Sequence, residues 1–326
     1  MFCNPGVTMS AIPTRAVVNL QDPETGRFRL LEPEAAHVSV FDRSFHFGDS
    51  LYEVTRTYDG ILFSLDKHLR RLHASARLAS FGPLPEDAVL TAAVCDACRE
   101  FFRKYGRLDA YVRVTVSRGV GDLNIDRRSA GGPYAVVIVK EVSPRPAEGV
   151  GVHWALVDRR RNLPAALDPA MKSGNYLNNV LALAEAQARG ADDALLLDYQ
   201  GFVTEGTTSN FYAVVDGTVL TAPAEVGILR GITREWVLQV CEKEGIPCQV
   251  RRFTVAELDA SREMFLSSST REVQPITRLS RPGGPEGGEV VGDGRQGPVT
   301  RRVAMALRRF VTDWCAQHRD RSLFPD

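Results

Sequence analysis

Apolar and polar residues alternate one by one between positions 109 and 117. Val112, Val114 and Val116 stand against Tyr111, Arg113 and Thr115, which predicts a strand with two unlike faces. A continuous apolar run at 134–140 predicts a buried strand, and 16–20 another, followed by a turn at Asp22-Pro23-Glu24-Thr25-Gly26. Val38-Ser39-Val40-Phe41, leading into His46-Phe47-Gly48, reads as an aromatic-rich strand and turn. Asp59-Gly60 between two apolar runs predicts a hairpin. The spacing of Leu69, Leu72, Ala76 and Leu78 predicts a helix over 66–80 with Asp66 as its N-cap. A second helix, 86–105, starts after Pro85 and ends at Gly106. Gly119-Val120-Gly121-Asp122-Leu123 has the look of a glycine-hinged loop.

In the second half the pattern predicts a strand at 150–157 and a helix at 176–189 closed by Gly190. Strands are expected at 194–198, 202–205, 211–215 and 218–221, the last two joined by an Asp216-Gly217 turn, then a helix at 231–244 and a terminal helix at 301–317. The basic run Arg159-Arg160-Arg161 reads as a surface turn, and the Gly- and Pro-rich stretch 281–297 as a mobile loop.

At 326 residues the chain exceeds the usual size of one hydrophobic core. The one stretch of linker composition is 143–149, so we expect a small N-terminal α/β domain over 1–142 and a larger C-terminal domain over 150–326. The formal net charge is zero, so no basic excess points to nucleic acid, and no apolar run is long enough to span a membrane. The first eleven residues lack a basic region followed by an apolar core, so no signal peptide is expected. Six cysteines are scattered without framework spacing, which suits reduced thiols in the cytoplasm. Cys95-Asp96-Ala97-Cys98 is half of a metal or redox spacing without a partner pair, and no metal site is expected.

Two stretches carry the chemistry. Met171-Lys172-Ser173-Gly174-Asn175-Tyr176 sets a single lysine on a short loop before a helix, and Val203-Thr204-Glu205 sets a glutamate at the end of a strand, followed by Thr207, Thr208 and Ser209. A lysine amine can hold an aldehyde as a Schiff base, and a carboxylate can keep a pyridine nitrogen protonated; these are the two groups that pyridoxal phosphate chemistry asks of a protein. Ile232 and Thr233 open a helix whose free backbone N–H groups suit a phosphate. Arg70 and Arg71 lie about 100° apart on their helix, so at most one faces a given site. Arg113, on a strand face, calls for an anion, either a substrate carboxylate or an internal acid.

With these stretches go His46-Phe47-Gly48-Asp49, His68-Leu69-Arg70-Arg71-Leu72, Gly231-Ile232-Thr233-Arg234, Glu272-Val273-Gln274-Pro275 and Gly297-Pro298-Val299-Thr300. In this order they resemble the class IV aminotransferases, over about residues 38–307. That resemblance implies an α+β protein of fold type IV, a homodimer of chains with two α/β domains and the active site between them. It implies pyridoxal 5′-phosphate on Lys172, with Glu205 at the ring nitrogen and Tyr176 at the ring hydroxyl. Arg71, Ile232, Thr233, Ser269 and Thr270 would hold the phosphate, while Phe47, Tyr111 and Arg113 would contact substrate. The lysine loop is one residue shorter than in some branched-chain enzymes, which bears on Tyr176. Tyr111-Val112-Arg113 and Asn175-Tyr176-Leu177-Asn178-Asn179 look like branched-chain aminotransferases; the hydroxyl runs at 207–209 and 267–270 look more like the D-amino-acid and aminodeoxychorismate lyase branches. The expected substrates are therefore an L-branched-chain amino acid and a 2-oxo acid such as 2-oxoglutarate. D-amino-acid or (R)-amine transamination is the alternative, and lyase activity a further one.

Overall fold

The computed structural model describes residues 13, 15–144 and 149–325. The expectations for the first eleven residues and most of the proposed linker, at 145–148, lie outside the described residues. In chain order the strands and helices are β1 (Ala16–Gln21), β2 (Phe28–Leu31), α1 (Arg43–Phe47), β3 (Ser50–Tyr58), β4 (Ile61–Leu62), α2 (Leu65–Leu78), α3 (Asp87–Tyr105), β5 (Ala110–Ser117) and β6 (Tyr134–Glu141). Then follow β7 (Val152–Arg160), α4 (Leu177–Gln187), β8 (Asp193–Leu197), β9 (Val203–Gly206), β10 (Asn210–Val215), β11 (Thr218–Thr221), α5 (Ile232–Lys243), β12 (Cys248–Val250) and α6 (Val255–Asp259). The last are β13 (Glu263–Ser268), β14 (Glu272–Ser280), β15 (Glu289–Val290) and α7 (Pro298–Gln317).

These elements form two compact units. The first holds residues 1–65, 82–143 and 320–326; the second holds 66–81 and 144–319. Relative to the linear division expected at 143–149, α2 sits with the second unit and the last seven residues with the first.

In the first unit six strands run in the order β2-β1-β6-β5-β3-β4. Along β5 the residues alternate between buried and half-buried, with Tyr111, Arg113 and Thr115 on the half-buried face. The other face contributes Val112, Val114 and Val116 to a core shared with Phe101 and Phe102 of α3. The β3–β4 hairpin turns through Asp59 and Gly60, both at positive φ as a tight two-residue turn requires. Residues 43–47, expected as part of a strand and turn, instead form the short helix α1. Asp42 accepts the Ser44 N–H at its start and left-handed Gly48 closes it, two cap signals that override the aromatic run.

In the second unit the strand order is β12-β11-β10-β13-β14-β7-β8-β9, with β15 added on β14. Strand β9 pairs with β8 and also with β10, so six strands close into a ring. The core holds Trp154, Phe211, Phe253 and Leu266, with Tyr212, Val237, Phe265 and Val303 forming a second cluster beneath α5 and α7. Arg159 and Arg160, expected in a turn, continue β7. The stretch 281–297, expected as a mobile loop, contributes the two-residue strand β15. Asp66 is not the cap of α2; it lies in the first turn and pairs with Arg70.

Candidate active site

Ring closure in the second unit rests on a single register pair, Glu205 with Asn210. Asn210 is also paired with Ser267 of β13, so Glu205, Asn210 and Ser267 form one row across three strands. The β13–β14 turn, with Ser269 and Thr270 half-buried in it, begins just past that row.

Glu205 is 4% exposed. Its Oε1 accepts from Arg161 Nε at 3.0 Å and Nη2 at 2.9 Å, and from the Leu229 N–H at 3.1 Å. Among the described residues its Oε2 accepts from Asn210 Nδ2 alone, at 3.1 Å, which leaves capacity for one more donor. Burial pushes the carboxyl above its ordinary range; the charges of Arg161 and Lys172 and the Leu229 N–H pull it back. Arg161 is the third residue of the run expected at the surface. Its guanidinium is instead buried against Glu205 and Asn179, because a buried carboxylate needs a cation and the end of β7 delivers one.

The segment before α5 is fastened to the same row. Asn210 Nδ2 also donates to the Leu229 carbonyl, and the Gly231 N-cap lies so close to Asn210 that a Cβ there would stand 2.0 Å from Oδ1. Only glycine fits that approach. No side chain caps the first amides of α5, at Ile232 and Thr233, so that helix end faces its surroundings with backbone donors. Arg71 Nη1 donates to the Arg230 carbonyl at 2.9 Å, one residue before the cap. Arg70 points away and pairs with Asp66 on the exposed side of α2.

Lys172 is half-buried, and its Nζ lies 3.4 Å from the Tyr176 hydroxyl, at the start of α4. Its backbone N–H donates to Ser75 Oγ of α2 at 3.1 Å. The second unit thus brings together Lys172, Tyr176, Glu205, Arg71, the α5 N-terminus and the β13–β14 turn. A primary amine, a buried carboxylate with acceptor capacity, and an uncapped helix end beside an arginine fit an aldehyde, a ring nitrogen and a phosphate respectively. Sequence reasoning missed Arg161, Asn210 and Ser75.

The remaining candidates lie in the first unit. Phe47 ends α1, with the Arg43 guanidinium 5.0 Å from its ring centre. Arg113 stacks on Tyr52 at 3.8 Å and donates from Nε to Thr115 Oγ1; among the described residues no carboxylate pairs with it. Also unread in the sequence is a buried polar cluster around α1. Asp42, fully buried, accepts from Ser44, from Ser117 Oγ at 2.8 Å and from the Tyr134 hydroxyl at 2.7 Å. Asp49 takes Arg43 and Arg118 at 3.0 and 2.7 Å. Among the described residues no group of histidine, cysteine or acidic side chains could hold a metal ion, and no helix is long and apolar enough to cross a membrane.

Known proteins resemble the chain over most of its length. The chain is 33% identical to a D-alanine aminotransferase of Bacillus licheniformis over 87% of its own length and 95% of that protein. It is 30% identical to the branched-chain-amino-acid aminotransferase of Escherichia coli K12, over 86% and 89%. The branched-chain amino acid aminotransferase of T.th., solved with N-(5′-phosphopyridoxyl)-L-glutamate, superposes with a TM-score of 0.81 at 27% identity, covering 93% of this chain and 96% of that one. Residues 50–279 match the model of the amino-transferase class IV family, and the chain belongs to that family, as an enzyme dependent on pyridoxal 5′-phosphate.

Proposed function

We propose that the chain moves an amino group between a branched-chain L-amino acid and a 2-oxo acid such as 2-oxoglutarate, acting as a cytoplasmic homodimer. The observation that carries this reading is the half-buried amine of Lys172 in the same unit as a buried carboxylate with acceptor capacity at Oε2. When bound, pyridoxal phosphate supplies an electron sink for the carbanion left when an amino acid loses its α-proton. Lys172 Nζ would hold the cofactor's aldehyde and serve as the base that takes the substrate's α-proton. Tyr176, whose hydroxyl lies 3.4 Å from that nitrogen, would hydrogen-bond the ring hydroxyl. Glu205 Oε2 would accept a hydrogen bond from the protonated ring nitrogen, and the Arg161 charge works against the upward push that burial gives the carboxyl. Arg71, the amides of Ile232 and Thr233, and the hydroxyls of Ser269 and Thr270 hold the phosphate.

In the first unit, Tyr111 and Arg113 hold a substrate carboxylate and Phe47 contacts an apolar side chain. The lack of an acid beside Arg113 among the described residues supports this, since a half-buried guanidinium resting on a ring retains donors for an anion. For the homodimer, the support is exposed apolar surface in the first unit: Val40, Phe41, Phe45, Leu123 and Ile125, the last 86% exposed. The five described cysteines are thiols, in keeping with a reducing compartment.

A second reading, D-amino-acid or (R)-amine transamination, is favoured by the hydroxyl runs at 207–209 and 267–270 and by the likeness to the D-alanine enzyme. A donor panel with 2-oxoglutarate and pyruvate decides between them. L-leucine and L-valine should turn over faster than D-alanine; the reverse order overturns the first reading. Light scattering should find twice the chain mass.

A further inference from the structure

Helix α2 is drawn from the N-terminal half of the chain yet belongs to the second unit. Three of its residues, Lys67, Arg71 and Ser75, are spaced i, i+4, i+8 and so fall on one side of the helix. Each touches a different part of the candidate site. The Lys67 ammonium pairs with Glu235 in the first turn of α5 and lies 4.4 Å from the ring centre of Trp236, which packs on Phe310 of α7. Arg71 donates to the carbonyl of Arg230, just ahead of α5. Ser75, 1% exposed, accepts the backbone N–H of Lys172 at 3.1 Å.

We propose that this side of α2 is a strut that sets the spacing between the lysine and the phosphate-binding helix end, with Ser75 and Lys67 as positioning residues for the two ends. The proposal rests on the assignment of Lys172 and of the α5 N-terminus under Proposed function. At the lysine end, a hydroxyl that takes the Lys172 amide fixes the backbone from which the amine projects. The serine is buried, so water does not replace it cheaply when it is removed. At the other end, the α5 N-terminus attracts an anion through its free amides, but Glu235 sits one turn in and works against that attraction. Lys67 neutralises Glu235, and its stem and ammonium seat α2 on Trp236. The strut therefore acts on geometry at one end and on charge at the other.

The two ends are separable by experiment on the holoenzyme. Ser75→Ala should shift the pH titration of the bound-cofactor absorbance and slow borohydride trapping of the cofactor on Lys172 by about two- to tenfold, in line with the net worth of one hydrogen bond. Its retention of cofactor in dialysis against inorganic phosphate should hardly change. Ser75→Cys, similar in volume but a weaker acceptor, should fall between serine and alanine. Lys67→Met should do the opposite: a roughly two- to fivefold faster loss of cofactor to phosphate, on the scale of one partly exposed ion pair, with the absorbance titration unmoved. Lys67→Arg should restore retention, and Glu235→Gln in the Lys67→Met background should recover most of it. If Ser75→Cys matches wild type while Ser75→Ala does not, packing explains the serine and the lysine end of the strut is overturned. If Glu235→Gln fails to rescue Lys67→Met, the charge argument is overturned. Arg71→Met separates these outcomes from failure of the underlying reading: if it keeps cofactor as wild type does, the phosphate assignment itself is wrong.

Discussion

The two units each bury carboxylates with donors around them, and the two arrangements differ in what they leave over. In the first unit both oxygens of Asp42 are taken by hydroxyls and an amide, and Asp49 is held between two arginines. Arg43 in turn donates to the carbonyls of Asn124 and Ile125, fastening the following loop to α1. Burial, with the Asp42 contact, pushes the Tyr134 hydroxyl upward, so it stays a donor. That cluster satisfies itself. In the second unit Glu205 has one oxygen crowded by three donors and the other with a single donor. Full internal pairing makes buried charge into scaffold, and incomplete pairing beside an amine and a helix end makes it into a site.

The strongest challenge to this contrast is at Lys172. Lys172→Ala should lower transamination by roughly 10²–10⁴-fold, the usual contribution of a positioned acid–base group, and remove the absorbance of lysine-bound cofactor. Borohydride reduction and peptide mapping of the wild type should place the cofactor mass on Lys172; a different lysine would overturn the site. Next comes Arg113, where the first unit also leaves donors for an anion. Arg113→Ala should cost the 2-oxoglutarate half-reaction on the order of 2–5 kcal/mol in kcat/KM, with a smaller loss in the leucine half-reaction, both read from single turnovers. Equal losses would assign Arg113 to the α-carboxylate, and no loss would return it to the scaffold. Arg71→Ala should weaken cofactor retention by about tenfold or more, since a charge-assisted contact is worth roughly 1.5–3 kcal/mol. Asp42→Ala strands three hydroxyls and an amide, so we expect about 1–3 kcal/mol off the unfolding free energy with the cofactor absorbance unchanged. A shifted spectrum there would erase the distinction between the units. The smallest effect belongs to Arg70→Ala, whose exposed pair with Asp66 is worth at most about 1 kcal/mol and whose loss should leave retention intact.

Much of this is legible in the chain because the signals are local. The alternation of β5, the glycines closing α1 and the β3–β4 hairpin, and the lysine before α4 are all written within a few neighbours. Arg71 is preferred over Arg70 from helix geometry and a motif. Arg161 misleads because a run of three arginines looks solvated until the strand carrying it ends beside a buried glutamate forty-four positions on. The Asp42 cluster joins residues 75 and 92 positions apart, and no local pattern encodes such pairings. The contacts of α2 within the second unit through Lys67, Arg71 and Ser75 are likewise not encoded in the hydrophobic stripe that makes it a helix. Cys95 and Cys98, which share a suggestive spacing, sit on α3 where burial raises both thiols above their ordinary range and leaves them poor nucleophiles.

The β-ring of the second unit closes at one register pair, Glu205 with Asn210, beside a tight turn in which the Gly206 N–H donates to the Ser209 carbonyl; away from that turn β9 and β10 part toward different neighbours. A ring with one short seam opens there first, so amides of β9 and β10 should be among the earliest of the ring to exchange with solvent. A ligand held by Glu205 of β9 and by the α5 end, which Asn210 of β10 fastens, would link the two strands like a clasp. Its binding free energy is added to the cost of opening, by RT ln(1 + [L]/Kd). The cofactor would then be a fastener of the barrel as well as a reagent, and its loss would loosen the fold from the inside of the site outward.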